Sequence, residues 1–199
     1  SIICFYSVTN YSSVFSSNSE KKLPIYCVDT TKKQVSLSFD AAWGNEDTQT
    51  ILDTLAKYNV HATFFIIHPY IKPHIKLIER AYEEGNAIGN HTADREFKSV
   101  YTSETAFFNS FNKQQDFIKE VTGNDCTIFR FPGGSHNTIV KNSRGKDFTK
   151  NITFKLNQKG VNVYDWNVDS GDAKGNNINN FIISCWRFND VSLNDKYIK

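Results

Sequence analysis

Short apolar runs alternate along this chain with longer stretches of helical period, and that rhythm limits the folds open to it. Residues 35–39 alternate between apolar and polar side chains, whereas residues 62–67 form a nearly continuous apolar run of the kind buried on both faces. Residues 87–90, 127–131 and 161–164 supply three further strand candidates. Between them, residues 46–58 place Ile51, Leu52, Leu55 and Ala56 on one helical face. Pro73 opens a second helix that repeats through Ile75, Ile78, Ala81 and Tyr82 and closes at Gly85. Residues 103–122 form the clearest helix. Phe107, Phe111, Ile118 and Val121 are its buried stripe, Ser103 or Thr102 its cap and Gly123 its terminator. The segment after Asn137 reads as helical up to Gly160, and another helix is expected from Asn176 to about Arg187. Strands alternating with helices predict a mostly parallel α/β sheet or barrel.

At 199 residues the chain fits one domain with a sizeable core. A formal charge of +2 gives no argument for a nucleic-acid partner. Residues 1–22, rich in Ser and Asn and ending in Glu20-Lys21-Lys22, read as an N-terminal tether, with the domain over 23–199. The first residue is not Met, so the expected parent is processed, trimmed or longer. No apolar run is long enough to cross a bilayer. Cys4, Cys27, Cys126 and Cys185 are scattered and form no C-x-x-C pair, which argues against a thiolate zinc cluster and for buried single thiols.

The strand over 35–39 runs straight into a lone carboxylate, Asp40, followed by the small turn Ala41-Ala42-Trp43-Gly44 and then a helix. His91, Arg130 and the pair Asp169/Asp172 likewise follow their own strands. In a parallel barrel these positions all emerge at the carboxyl face, where such folds build their sites. Singly, each has a structural explanation: Asp40 or Asp172 as a helix cap, Arg130 as a partner for some carboxylate. Their joint placement favours a site.

The order S-F-D-x-x-x-G, A-T-F-F, G-N-H-T, F-R-F-P-G-G and W-N-V-D-S-G-D resembles the polysaccharide deacetylase family, the NodB-homology domain of carbohydrate esterase family four. The likeness runs from about Leu23 to Asn177 and is nearest to secreted or sporulation-linked clostridial and bacillar members. It implies an irregular (β/α) barrel and removal of N-acetyl, sometimes O-acetyl, groups from chitin, peptidoglycan or related polymers with a divalent metal. Zinc is the expected ion, with cobalt or nickel as alternatives, or none if the site is degenerate. The implied partner is an acetylated amino-sugar polymer and the implied location the cell envelope or the outside of the cell.

By the same resemblance, Asp40 matches the catalytic base that takes a proton from metal-bound water. His91 matches the first metal-binding imidazole, and Arg130 the guanidinium that keeps the base carboxylate charged and oriented. The Gly133 N–H, after Pro132, falls where the family stabilises an oxyanion. Asp172 matches the acid that orients the family's last histidine. Trp43, Pro132 and Trp166 are candidates for contact with sugar, and Tyr70 is a further rim aromatic.

Three positions depart from the pattern. Ala41 stands where a metal-binding Asp is usual, Arg95 where the second imidazole belongs, and Ala173 where the last motif has Trp. The closing L-x-L-x-H strand is also not found, since no His follows Phe181; the last strand is expected to be degenerate or cut off. Catalytic zinc normally has three protein ligands. A guanidinium at about 4 Å from a dication would repel it by on the order of several kcal/mol. Asp94 is the substitute ligand candidate, and His61, His68, His74 and His136 are poorer ones. Little or no deacetylase activity is therefore expected. Two readings stand: a metal-dependent amide hydrolase with a rearranged site, or a non-catalytic barrel that keeps a sugar groove or a scaffold role.

Overall fold

Alternation along three neighbouring strands decides which side chains make core and which make the site. The computed structural model describes residues 2–4, 24–26, 35–41, 46–68 and 74–169. Its sheet has six strands: β1 (Ile2–Cys4), β2 (Leu37–Ala41), β3 (Thr63–Ile66), β4 (Ala87–Asn90), β5 (Ile128–Phe129) and β6 (Asn162–Val163). Spatial order follows chain order, with β2 to β6 parallel and β1 antiparallel on β2. Six helices join them: α1 (Glu46–Lys57), α2 (Ile75–Glu83), α3 (Phe97–Val100), α4 (Glu104–Thr122), α5 (Thr138–Arg144) and α6 (Phe148–Gln158). Each crossover steps to the next strand without reversal, which is the progression of a (β/α) barrel rather than of a doubly wound sheet. The described strands form an open α/β sheet of this kind, not a closed barrel.

The register sets Phe39, Phe64 and Ile88 side by side in one row across β2, β3 and β4. That row packs outward with Leu52, Leu55, Ile78, Ala81, Phe117 and Ile118, and the Phe39 and Phe64 rings stack at 4.9 Å. Because side chains alternate, the next row, Asp40, Phe65 and Gly89, takes the opposite face. A slip of one residue would send Asp40 into the apolar core, so burial of Phe39 and Phe64 fixes the carboxylate in the site. A second cluster joins Phe107 and Phe111 of α4 to Phe129, Phe131, Val140, Ile152 and Val163.

Helix α4 has the ends its sequence requires. The Ser103 hydroxyl accepts from the Ala106 N–H, and Gly123 closes the helix at φ +73°. Other boundaries differ from expectation. β2 starts at Leu37 and extends through Ala41, so Asp40 belongs to the strand itself. In α1, Thr48 is buried with Leu52 and Leu55, while Ala56 lies on the flank and is exposed. The single helix expected up to Gly160 is two, divided where Gly145 takes φ +84°. Ile2–Cys4, inside the stretch read as a tether, joins the sheet by backbone pairing. At the other edge Ile25 pairs with Tyr164: its N–H donates to Val163 O (2.8 Å) and its carbonyl accepts from the Asp165 N–H (2.9 Å). Pro73 and the helix expected after Asn176 lie outside the described residues.

Candidate active site

Parallel strand ends bring Asp40, His91 and Arg130 into one corner. Arg130 Nη1 donates to Asp40 Oδ1 at 2.8 Å, and His91 Nε2 stands 3.8 Å from Asp40 Oδ2. His91 Nδ1 lies 2.8 Å from the Arg130 carbonyl oxygen. A carbonyl only accepts, so Nδ1 carries the hydrogen. Burial of the ring lowers the His91 pKa below its ordinary value, which keeps the imidazole neutral. Nε2 therefore presents a lone pair beside a carboxylate: two acceptors share one gap.

Neighbouring residues explain how a fully buried guanidinium is held there. Arg130 stacks on the Phe65 ring, 4.1 Å from its centroid, with Trp166 at 5.6 Å. The Phe65 ring has room because Gly89 lies opposite; a Cβ there would fall 2.5 Å from Phe65 Cδ1. Arg130 Nε and Nη2 have no partner among the described residues. Asn90, also fully buried, donates to Phe111 O (3.0 Å) and Gln115 Oε1 (2.8 Å) and accepts from the Thr92 N–H (2.8 Å). Those bonds fix the strand end just before His91. Thr92 itself has φ +68°, an uncommon conformation for a β-branched residue, and its hydroxyl donates to His91 O (2.5 Å). Such local strain costs on the order of 1–3 kcal/mol and persists where surroundings over-determine it.

The described residues do not fit a three-ligand metal centre: no group of three His, Cys, Asp or Glu side chains among them could hold an ion. Asp94 is tied to α4, its Oδ2 accepting from the Ser110 hydroxyl at 2.8 Å. Ser110 also accepts from the Ala93 and Asp94 N–H groups, pinning this loop to α4. Arg95 is exposed. Among the other histidines, His68 meets the Phe117 ring edge-on at 4.8 Å and His136 Nδ1 lies 2.6 Å from the Tyr26 hydroxyl.

Pro132 is buried and its carbonyl accepts from the Tyr101 hydroxyl (2.9 Å). Gly133 is exposed with φ +74°, and half-buried Trp166 packs over Gly134. Trp43, Tyr70 and Asp172 lie outside the described residues, so the acid and two of the candidate aromatics are not placed. The carboxylate that does sit at the end of β6 is Asp165, 4% exposed, which sequence reasoning passed over for Asp169 and Asp172. Its position directly after the strand end was the available signal. Phe65 and Tyr26 were missed as well, both read only as packing or left unread.

Residues 28–149 match the family model of polysaccharide deacetylases. The chain belongs to this family. Its fold neighbours include the catalytic domain of a peptidoglycan N-acetylglucosamine deacetylase from Eubacterium rectale. That structure is 38% identical with a TM-score of 0.63, over 68% of this chain and 60% of the neighbour. A peptidoglycan-N-acetylglucosamine deacetylase of Listeria monocytogenes is 29% identical over 159 residues, 80% of this chain and 31% of that protein. A mutant of a carbohydrate esterase family four pseudoenzyme is 26% identical with a TM-score of 0.63, over 77% of this chain and 52% of the neighbour. The chain spans less than two thirds of the length of each of these relatives.

Proposed function

We propose that this member of the deacetylase family recognises N-acetylated amino-sugar chains of the peptidoglycan or chitin type at the cell envelope, with acetyl hydrolysis weak or absent. The observation that carries the reading lies in the two residues beside His91. Arg95 is exposed where a second imidazole would complete a metal set, and Asp94 is committed to Ser110. Amide hydrolysis at a metal-activated water needs a cation held by about three protein groups; the described residues supply His91 and Asp40 alone near that gap. Recognition makes smaller demands. Trp166 offers an aromatic face beside Arg130, and the Gly133 N–H offers a donor at the rim.

One observation favours the second reading, a hydrolase with a rearranged centre. Asp40, Arg130 and His91 keep the mutual geometry that a base, its orienting guanidinium and a ligating imidazole would need. Calorimetric titration with N-acetylglucosamine oligomers, paired with metal analysis, separates the two. Binding without a stoichiometric divalent metal supports recognition. One equivalent of zinc, cobalt or nickel supports the hydrolase, and no saccharide binding at all overturns the proposal.

A further inference from the structure

The turn after β5 is held at nearly every polar atom. Pro132 O accepts from the Tyr101 hydroxyl (2.9 Å), Gly134 N–H donates to Phe131 O (2.8 Å), and Gly134 O accepts from the Asn137 N–H (3.3 Å). Ser135 O accepts from the Thr149 hydroxyl at 3.0 Å. The strongest hold comes from β6. Asp165 Oδ2 accepts from the Ser135 N–H at 3.0 Å and from the Ser135 hydroxyl as well, while the carboxylate is buried. Ser135 spends its one hydroxyl hydrogen on Asp165, so its lone pairs are left to accept from Tyr26, whose hydroxyl is 3.0 Å away. Tyr26 is brought there by the pairing of Ile25 with β6.

Both glycines of the turn have left-handed backbones, φ +74° at Gly133 and φ +81° at Gly134. Neither has room for a side chain. A Cβ on Gly133 would meet Asn137 Nδ2 at 2.2 Å and the Phe97 ring at 2.9 Å; one on Gly134 would meet Trp166 at 2.9 Å. Within this clamped turn the Gly133 N–H has no acceptor among the described residues, and Gly133 is exposed. A donor that is fixed and unspent is what recognition of a carbonyl oxygen requires.

We infer that Asp165 and Ser135 are positioning residues: together they clamp the Gly133–Gly134 turn from β6 so that the Gly133 amide stands ready for the acetamido carbonyl of the saccharide. This rests on the reading of the chain as a binder of N-acetylated sugars. Neither residue touches the ligand; they act through the turn. The adjacent Trp166, which touches Gly134 and faces Arg130, ties the same clamp to the Asp40 corner.

The test follows the Gly133 amide by nuclear magnetic resonance in the whole chain while N-acetylglucosamine trimer is added. Wild type, Asp165→Asn and the milder Ser135→Ala are compared, with thermal unfolding as a check on folding. The expected result is a Gly133 shift on binding in wild type. In folded Asp165→Asn that shift should be lost and affinity should fall about tenfold or more. Ser135→Ala should lose less. Unchanged affinity and an unchanged Gly133 shift in both variants would overturn the inference. Should wild type bind no trimer, the functional reading fails by itself, and the ligand-free spectra decide the clamp. Displaced Gly133 resonances and faster Ser135 amide exchange in the variants support it, and unaltered ones refute it.

Discussion

His91 Nε2 and Asp40 Oδ2 stand 3.8 Å apart with no hydrogen between them, because the imidazole hydrogen is spent on the Arg130 carbonyl. Two acceptors turned to one gap favour a cation or a hydrogen-bond donor there. By the family resemblance, two positions expected to complete a metal centre hold Ala41 and Arg95. The positions that shape it (Asn90, Phe65, Gly89 and Arg130) are present and packed.

Restoring ligands should therefore restore metal binding. The double substitution Ala41→Asp with Arg95→His is expected to raise zinc affinity at least tenfold over wild type, measured by calorimetry against a chelator. Arg95→His alone should give a smaller gain. No gain from the double variant would mean that the 91–95 turn does not bring its last position to His91.

Arg130 is fully buried, and its ion pair with Asp40 spans two strands. Arg130→Ala strands a carboxylate that is itself mostly buried, so denaturant unfolding should show a loss of about 3–5 kcal/mol. Arg130→Lys should recover part of this, since it keeps the charge but not the planar stacking on Phe65.

Gly123 and Gly134 both have positive φ, but only Gly134 is crowded. Gly123→Ala meets open space and should cost about 1 kcal/mol, whereas Gly134→Ala must also displace Trp166 and should cost about 2–4 kcal/mol. Paired unfolding curves measure the difference. Equal losses would show that the Trp166 contact on the turn is soft.

Burial pushes the Cys126 thiol up to about 11. The unfolded thiol ionises near 8.5–9, so between about pH 9 and pH 11 the unfolded chain loses a proton that the folded chain retains. Stability present below pH 9 should fall by on the order of 2 kcal/mol across that window, and Cys126→Ala should flatten the fall. Native protein at pH 8 should leave Cys126 unmodified by a thiol reagent that labels it once unfolded.

The strand rhythm, the ends of α4 and the convergence of Asp40, His91 and Arg130 were legible because each rests on local chemistry: alternation, capping and a polar residue after an apolar run. The register that puts Phe65 and Gly89 beside Asp40 was not legible, because pairing depends on neighbours distant in sequence. The roles of Asp165 and Tyr26 were hidden for the same reason. Tyr26 lies 109 residues from Ser135, and only the edge pairing of Ile25 joins them. The split of α5 from α6 could have been read at Gly145, a residue whose φ of +84° no continuous helix accommodates.

Acetate release is the most direct measurement of what the replaced ligands mean. Wild-type protein supplied with excess zinc and N-acetylglucosamine oligomers should release no acetate above the protein-free rate while still binding the sugar. Metal-dependent release that disappears in Asp40→Asn would contradict this and make the chain a working deacetylase.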